Sequence, residues 1–465
     1  MGTITLEQML AARDARVRMQ DELRSRYGAP VVSFTMNIPG PVKYTPLIRR
    51  AFFEGYAALE AALSDAKLPI LWSGAQEADT GCEALFAVDG EALAVKRVCV
   101  AIEDANALGR LFDMDVLAPD GHKLDRETVG GGARSCIVCG AQGRGCASRR
   151  THGVEELQAA TRRILCAHFA ESEARRIADL VTRALLDEVY TTPKPGLVDR
   201  SNNGSHADMT VATFERSAEA LRGCWRQCFT VGFETRTAAP DATFARLRKA
   251  GVEAERAMRA ATGGVNTHKG AIFTLGVLCG AIGRLWTPES PHEDVDVILR
   301  ECARMTKATV EAELAALSAH PEAAVTKGQR FYLEYGMRGI RGEAAAGFPA
   351  VACTALPTLR AALRAGHSRN DAGVYALLAL IARNEDTNMV ARGGVAAAKE
   401  AADRAALLLA DGALPDLHAV RRLDMAFIQK NLSPGGCADL LAAAYFLETW
   451  SGSWRRCADH ADKPF

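Results

Sequence analysis

The stretch GVEELQAATRRILCAHFAESEARRIADLVTRALLDEVY, residues 153–190, is where the chain changes character. Over Glu155 to Cys166 and Glu173 to Tyr190, apolar residues recur every three to four positions, the period of a helix with one buried face. The same period returns over Val211–Phe229, Asp241–Ala261, Asn266–Leu285, Asp294–Ser318, Asp371–Ala382, Gly394–Leu409 and Cys437–Leu447. No strand-like run interrupts them, and Ala and Leu, both good helix formers, crowd this half of the chain. The second part therefore reads as all-α.

Upstream the pattern differs. A helix is expected over Leu6–Tyr27, and another near Pro46–Leu63. Between them VVSFTMNI (31–38) is rich in β-branched and aromatic residues and stops at Pro39-Gly40-Pro41. Extended stretches are expected at Ala84–Val88, Leu93–Ile102 and Leu111–Leu117, a set compatible with antiparallel pairing. A Gly-, Arg- and Cys-rich passage from Gly130 to Arg150 closes this part. The chain is read as multidomain: an α+β N-terminal domain, residues 1–155, and an all-α helical C-terminal domain, residues 156–465.

Composition narrows the classes. At 465 residues the chain exceeds one ordinary core, and 48% hydrophobic with 24% charged residues excludes wholesale disorder. Lys plus Arg is 56 and Asp plus Glu is 56, so no global field recruits nucleic acid or an anionic membrane. MGTITLEQMLAARDARVRMQ places charges where an export signal needs an apolar run, so a cytoplasmic protein is expected, with its thirteen cysteines reduced. The longest apolar run, Gly270–Leu285, contains Arg284 and is shorter than a bilayer requires; it reads as a buried helix.

Several motifs carry chemistry. In RLFDMDV (110–116), Asp113 and Asp115 stand at i and i+2 on a strand, hence on one face. Such carboxylates repel unless a cation sits between them, which suits Mg²⁺ beside a polyphosphate; a strand with one solvated face is the plain alternative. Arg110 and the Lys96-Arg97 pair suit phosphate oxygens. NIPGPVK (37–43) is a rigid turn that ends on Lys43, a point charge for a phosphate or simply a surface residue. Cys136, Cys139, Cys146 and His152 offer three thiolates and an imidazole, a set for tetrahedral Zn²⁺ or else reduced, unligated thiols.

In the helical part, TTPKPGLVDRSNNGSHADM (191–209) cannot be helix through its prolines and glycine, and it gathers Lys194, Asp199, Arg200, His206 and Asp208. GGVNTHKG (263–270), with Asn266, His268 and Lys269, opens directly onto the apolar helix, whose N–H groups can receive an anion. SPGGCAD (433–439), with Ser433 and Gly435, repeats that device. NEDTN (384–388) places Glu385 and Asp386 between two helices, followed by Arg392. For each loop alone, helix capping is the plain alternative. Together they can converge at one end of the helices to hold Mg²⁺, through Asp208 and Asp386, and a polyphosphate.

From residue 153 onward, TPKPGLVDRSNNGSHADM, NTHKGAIFTLG, ARNEDTNMVARGG and NLSPGGCADLL resemble the triphosphoribosyl-dephospho-CoA synthase family of citrate lyase maturation. Residues 1 to about 152 resemble the partner family, holo-acyl-carrier-protein synthase, through NIPGPVK, TGCEALFAVD, GRLFDMDV and the RSCIVC…CASRRTH block. The whole is similar to the fused, bifunctional form. The resemblance implies two steps. First, ATP and 3′-dephospho-CoA give 2′-(5″-triphosphoribosyl)-3′-dephospho-CoA and free adenine. The N-terminal domain then passes the phosphoribosyl-dephospho-CoA group to a serine of the citrate lyase acyl carrier protein (γ subunit), and pyrophosphate leaves. This is nucleotidyltransferase-type chemistry.

Against that scheme, His206, Asp208, Glu385 and Asp386 are the candidates for proton transfer and positioning in the first step, with Lys194, Lys269 and Arg392 on the triphosphate. Asp113 and Asp115 would hold Mg²⁺ for pyrophosphate departure in the second. Two other readings are the same chemistry serving malonate decarboxylase, and a non-catalytic nucleotide- or carrier-binding protein on the same scaffold.

Overall fold

The computed structural model describes residues 4–289, 294–412 and 414–461. It divides into two compact units, Met1–Ala170 and Glu171–Phe465.

The N-terminal unit holds α1 (Leu6–Tyr27), β1 (Val31–Met36), α2 (Pro46–Asp65), β2 (Ile70–Ala78), β3 (Gly81–Val88), α3 (Ala92–Asp104), β4 (Phe112–Leu117), β5 (Lys123–Leu124) and α4 (Gly143–Arg149). Its five strands form one sheet in the order β2-β3-β1-β4-β5, antiparallel at every pair. Register fixes what each face carries. Phe34 stands opposite Met114, and Val32 opposite Val116. On this face Phe34 stacks on Phe52 of α2 at 4.6 Å and meets Phe112 edge-on at 5.3 Å.

The other face takes the alternate residues, with Ser33 opposite Asp115 and Thr35 opposite Asp113. Leu23 of α1 packs there against Val31, Leu85 and Ala87, and Arg16 of α1 pairs with Glu83. Helix α1 thus lies over β1 and β3, and the β4 aspartates remain outside its cover.

One expectation is overturned here. Leu93–Ile102 is not a strand but most of α3, whose buried residues Val95, Lys96, Cys99, Val100 and Glu103 recur with helical period. Its β-branched content was misleading, because burial on one face outweighs the small helix penalty of valine. The Lys96 ammonium donates to the Met114 carbonyl at 3.0 Å, and Glu103 accepts from the Met114 N–H at 2.9 Å. Strand β5 reaches only Val116 and Leu117, so these two side chains complete the ladder that β5 leaves open. Lys96 is therefore structural and is not on a strand. Strand β2 went unanticipated, since none of its residues is buried and no apolar alternation marks it.

Helix α5 (Val154–Tyr190) runs unbroken through the two segments read separately, and the division between the units falls within it. The C-terminal unit continues with α6 (Val211–Ala220), α7 (Arg222–Glu234), α8 (Pro240–Ala261), α9 (Lys269–Leu285), α10 (Val295–Ala319), α11 (Lys327–Tyr335), α12 (Gly339–Ala345), α13 (Leu356–Arg364), α14 (Arg369–Arg383), α15 (Thr387–Leu408), α16 (Leu417–Gln429) and α17 (Gly435–Ala461). No strand interrupts them among the described residues.

The apolar run is α9, buried along most of its length among α7, α8, α10 and α17. Arg284, near its C-terminal end, is matched inside by Glu301 at 2.6 Å and by the Thr235 carbonyl at 2.7 Å. Among the described residues, no helix is long and apolar enough to cross a membrane.

Candidate active sites

In the N-terminal unit a cavity of about 930 Å³ opens on the aspartate face of β4. Asp113 and Asp115 line it, together with Arg110, Arg126, Arg134 and Lys123. Lys123 of β5 pairs with Asp115 at 2.6 Å. Burial, then the neighbouring Asp115 charge, raises the Asp113 carboxyl above its ordinary range. A cation between the two carboxylates would relieve both effects, so this pair fits Mg²⁺, which typically takes one or two carboxylates plus substrate phosphates.

The guanidiniums lie on the α3 side of the cavity. Arg126 pairs with Asp104 at 2.5 Å and Arg134 with Glu103 at 2.5 Å, while Arg110 donates to the Ser135 carbonyl. Arg110 Nη1 and Arg126 Nε are nonetheless buried with no hydrogen-bond partner among the described residues. Burial and the charges of Arg134 and Arg126 lower the Arg110 pKa, a strain that an anion would remove. Arg126 and Arg134 were not anticipated; Arg126 sits outside any strand or motif, and Arg134 opens the RSCIVC block, where the cysteines alone drew attention. Lys43 lines a smaller cavity of about 190 Å³ that also reaches Asp113. Its ammonium donates to the Ile38 carbonyl, and burial lowers its pKa.

Beside the larger cavity, Cys136, Cys139, Cys146 and His152 come together, with all four ligand atoms within 4.8 Å of one another. Among the described residues this is the one group of three or more His, Cys, Asp and Glu that converges in this way.

In the C-terminal unit the polar loops meet at helix ends. Lys194 is fully buried, and its ammonium pairs with Glu188 near the end of α5. The Lys194 N–H donates to Asp199 at 2.9 Å, and Asp199 also accepts from Ser201 and Asn202. Asp424 of α16 holds the same loop through the Gly196 N–H and the Asn202 amide, each at 2.8 Å. Asp424 was missed because its partners, Gly196 and Asn202, lie far away in sequence, and Glu188 because the turn that brings Lys194 back onto α5 is not marked in its own helical pattern.

His206 lies between Ser433, at 2.9 Å from Nε2, and Arg392, which donates to Nδ1 at 3.2 Å. Burial and Arg392 lower its pKa, so the imidazole is neutral, with Asp208 exposed nearby. Asp386 caps α15 through Asn388 and Met389, and its other oxygen accepts the Cys437 N–H at 2.9 Å, close to Gly435 at the start of α17. Burial raises the Asp386 carboxyl.

Asp439, one turn into α17, accepts from the Ala271 N–H; burial and then the Glu188 and Asp386 charges push its carboxyl well up. A Cβ on Gly270 would lie 1.9 Å from the Asp439 carboxylate, so only glycine lets α9 come this close. Buried His268 bonds Ser217 through Nδ1 at 2.7 Å, and Nε2 has no hydrogen-bond partner among the described residues. Burial and Lys194 push its pKa down to about 3.

Other predicted residues are exposed or paired elsewhere. Lys269 is exposed and pairs with Glu255 at 3.3 Å, and Asn266 and Glu385 are exposed. Arg200 stacks on Tyr190 at 4.2 Å and lines a separate cavity of about 410 Å³ with Arg183 and Arg369.

Comparison with known proteins adds the deciding observation. Residues 4–168 match the family model for apo-citrate lyase phosphoribosyl-dephospho-CoA transferase, and residues 174–457 match that for ATP:dephospho-CoA triphosphoribosyl transferase. Proteins named CitXG from Haemophilus influenzae and Leuconostoc mesenteroides subsp. cremoris are 35% and 31% identical over 464 residues, covering 97% of this chain and 97% and 98% of theirs. The chain belongs to the CitXG family. A 2-(5''-triphosphoribosyl)-3'-dephosphocoenzyme-A synthase from Klebsiella pneumoniae is 40% identical over 283 residues, 60% of this chain and 91% of that protein. The chain is a bifunctional transferase. It makes 2′-(5″-triphosphoribosyl)-3′-dephospho-CoA from ATP and 3′-dephospho-CoA, and it transfers the phosphoribosyl-dephospho-CoA group to citrate lyase.

Proposed function

We propose that the transfer step takes place in the cavity on the β4 aspartate face, by nucleotidyltransferase-type chemistry. A serine hydroxyl of the citrate lyase acyl carrier protein attacks the α-phosphorus of the triphosphoribosyl chain, the bond to the bridging oxygen breaks, and pyrophosphate departs. The observation that carries this reading is the opposition of two charges in one cavity. Arg110 and Arg126, each with a buried N–H that has no partner among the described residues, line the same cavity as Asp113 and Asp115. The guanidiniums, with Arg134, bind the phosphate oxygens and stabilise charge as it develops on them. Lys43 supplies a further charge from the adjoining cavity. Asp113 and Asp115 would hold Mg²⁺, which when bound neutralises charge on the departing group.

The adenine-releasing step is assigned to the loops around Lys194. The 2′-hydroxyl of dephospho-CoA attacks C1″ of the ATP ribose as the bond to adenine breaks. The leaving base needs a proton, and a carboxyl kept protonated by its surroundings can give one. Asp439 and Asp386 are both raised by burial, and Asp439 is raised further by its carboxylate neighbours. We place the proton donor at Asp439, because all of Asp386 is engaged with backbone amides. Lys194, buried against Glu188, sets the charge of this cluster, and the exposed Arg392 and Lys269 are left for the triphosphate. Neutral His206 orients the loop between Ser433 and Arg392. The exposed Asp208 beside it is the carboxylate available to a phosphate-bound Mg²⁺.

A double dissociation in the full chain tests the division. Asp113→Asn with Asp115→Asn should slow transfer to the carrier by about a hundredfold or more, the scale of several kcal/mol of lost charge neutralisation. Adenine release should stay near wild type, and the triphosphoribosyl intermediate should accumulate. His206→Ala with Asp208→Asn should reverse the pattern and still transfer a supplied intermediate. Normal carrier modification by the first variant would overturn the cavity assignment.

A further inference from the structure

We propose that Cys136, Cys139, Cys146 and His152 bind one structural Zn²⁺, and that this ion fixes the wall of the transfer cavity that carries Arg110 and Arg134. The second clause rests on the cavity assignment above; the first does not.

Tetrahedral zinc with Zn–S of about 2.3 Å and Zn–N of about 2.0 Å requires ligand atoms about 3.3–3.8 Å apart. Cys139 and Cys146 sulfurs are 3.5 Å apart, and His152 Nε2 is 3.2 Å from the Cys139 sulfur. All four atoms fit within 4.8 Å, so sub-ångström movements close the shell.

The surroundings are those of a ligated site. His152 presents Nε2 to the cluster, and its Nδ1 lies 3.8 Å from Glu156, the carboxylate partner that a metal-bound imidazole commonly has. The Val138 N–H points at the Cys136 sulfur at 3.5 Å, which favours a thiolate there. The Cys136–Cys139 turn closes through Gly140 with φ 73°, a conformation that favours glycine, and its N–H returns to the Cys136 carbonyl at 3.0 Å. Cys146 comes from α4, whose seven residues could not hold a position alone.

The link to the cavity is equally direct. Ser135, next to Cys136, bridges Gln142 and accepts from the Arg110 guanidinium. Arg134 precedes it, and its carbonyl accepts the Gly143 N–H at 2.8 Å, at the start of α4. Cys136, Cys146 and His152 themselves line the cavity. Little apolar burial secures this segment, so a metal is what would keep Ser135 and Arg134 in place.

The full chain, purified without chelator, should contain about one equivalent of zinc by elemental analysis. Less than about a tenth of an equivalent would overturn the site, as would a thiol count two short with no metal, which would mean a disulfide. Cobalt-substituted protein should show the visible bands of a tetrahedral cobalt–thiolate centre; their absence also counts against it. Cys139→Ser and His152→Ala should lose the metal, whereas His152→Cys should retain it. Metal loss should raise KM for the triphosphoribosyl donor at least about tenfold in the transfer step, leaving adenine release unchanged. Metal-free variants with wild-type KM would overturn the link to the cavity while leaving the zinc site standing. If the Asp113/Asp115 variant fails its own test but zinc is present, only the cavity assignment falls.

Discussion

The two units use charge in opposite ways. In the N-terminal unit, cations and carboxylates face each other across an open cavity, and guanidinium donors are left over for a ligand. In the C-terminal unit, the carboxylates of Glu188, Asp199, Asp386 and Asp424 are buried and mostly engaged by a lysine or by backbone amides at helix ends. The first arrangement suits a large acceptor protein that must approach from outside. The second suits two small substrates held by loops that must first be fixed themselves. The same residue types therefore carry different energetic weight in the two places.

The largest effect should come from the buried pair. Lys194→Met leaves Glu188 without its partner and should destabilise the C-terminal unit by about 3–5 kcal/mol, seen as a fall in its calorimetric Tm. Lys123→Met, beside the more exposed Asp115, should cost less than about 1 kcal/mol. Similar losses for both would break the contrast. Next comes pH. His268 has a native pKa pushed down to about 3 by burial and by Lys194, against about 6.5 when unfolded. Its contribution is complete above pH 6.5 and is lost as pH falls towards 3, because only the unfolded chain takes the proton. Relative to His268→Asn, wild type should lose about 2 kcal/mol between pH 6.5 and 5 in denaturant titrations. Below that comes Gly270→Ala. Its methyl group would push Asp439 away, lowering adenine release about tenfold, some 1.4 kcal/mol, with carrier transfer unchanged.

The division into an α+β part and a helical part was legible because periodicity reports burial directly. It failed at Leu93–Ile102, where the β-branched Val95, Val98, Val100 and Ile102 mimicked a strand although Val95 and Cys99 face one side of a helix. It also merged α6 with α7 across Leu221, where no proline stands and Gly223 falls inside the first turn of α7. For the sites, short-range patterns such as Asp113-x-Asp115 and the Cys/His spacing named residues that do come together. Glu188, Asp424, Arg126 and Arg134 were not legible. Asp424, Arg126 and Arg134 acquire their environments from elements remote in sequence, and Glu188 from the loop that folds Lys194 back onto α5; a lone charged residue reads as surface until that partner is known. Lys269 and Asn266, by contrast, had a promising local motif and stand exposed.

The side chains of Lys96 and Glu103 have one more effect. By taking both backbone groups of Met114, they deny β4 to any passing extended peptide. A carrier protein cannot lengthen the sheet there without first displacing two buried hydrogen bonds, so recognition on this flank must proceed through side chains. The same obstruction guards the sheet against accidental self-association during folding, when an unprotected edge is most vulnerable.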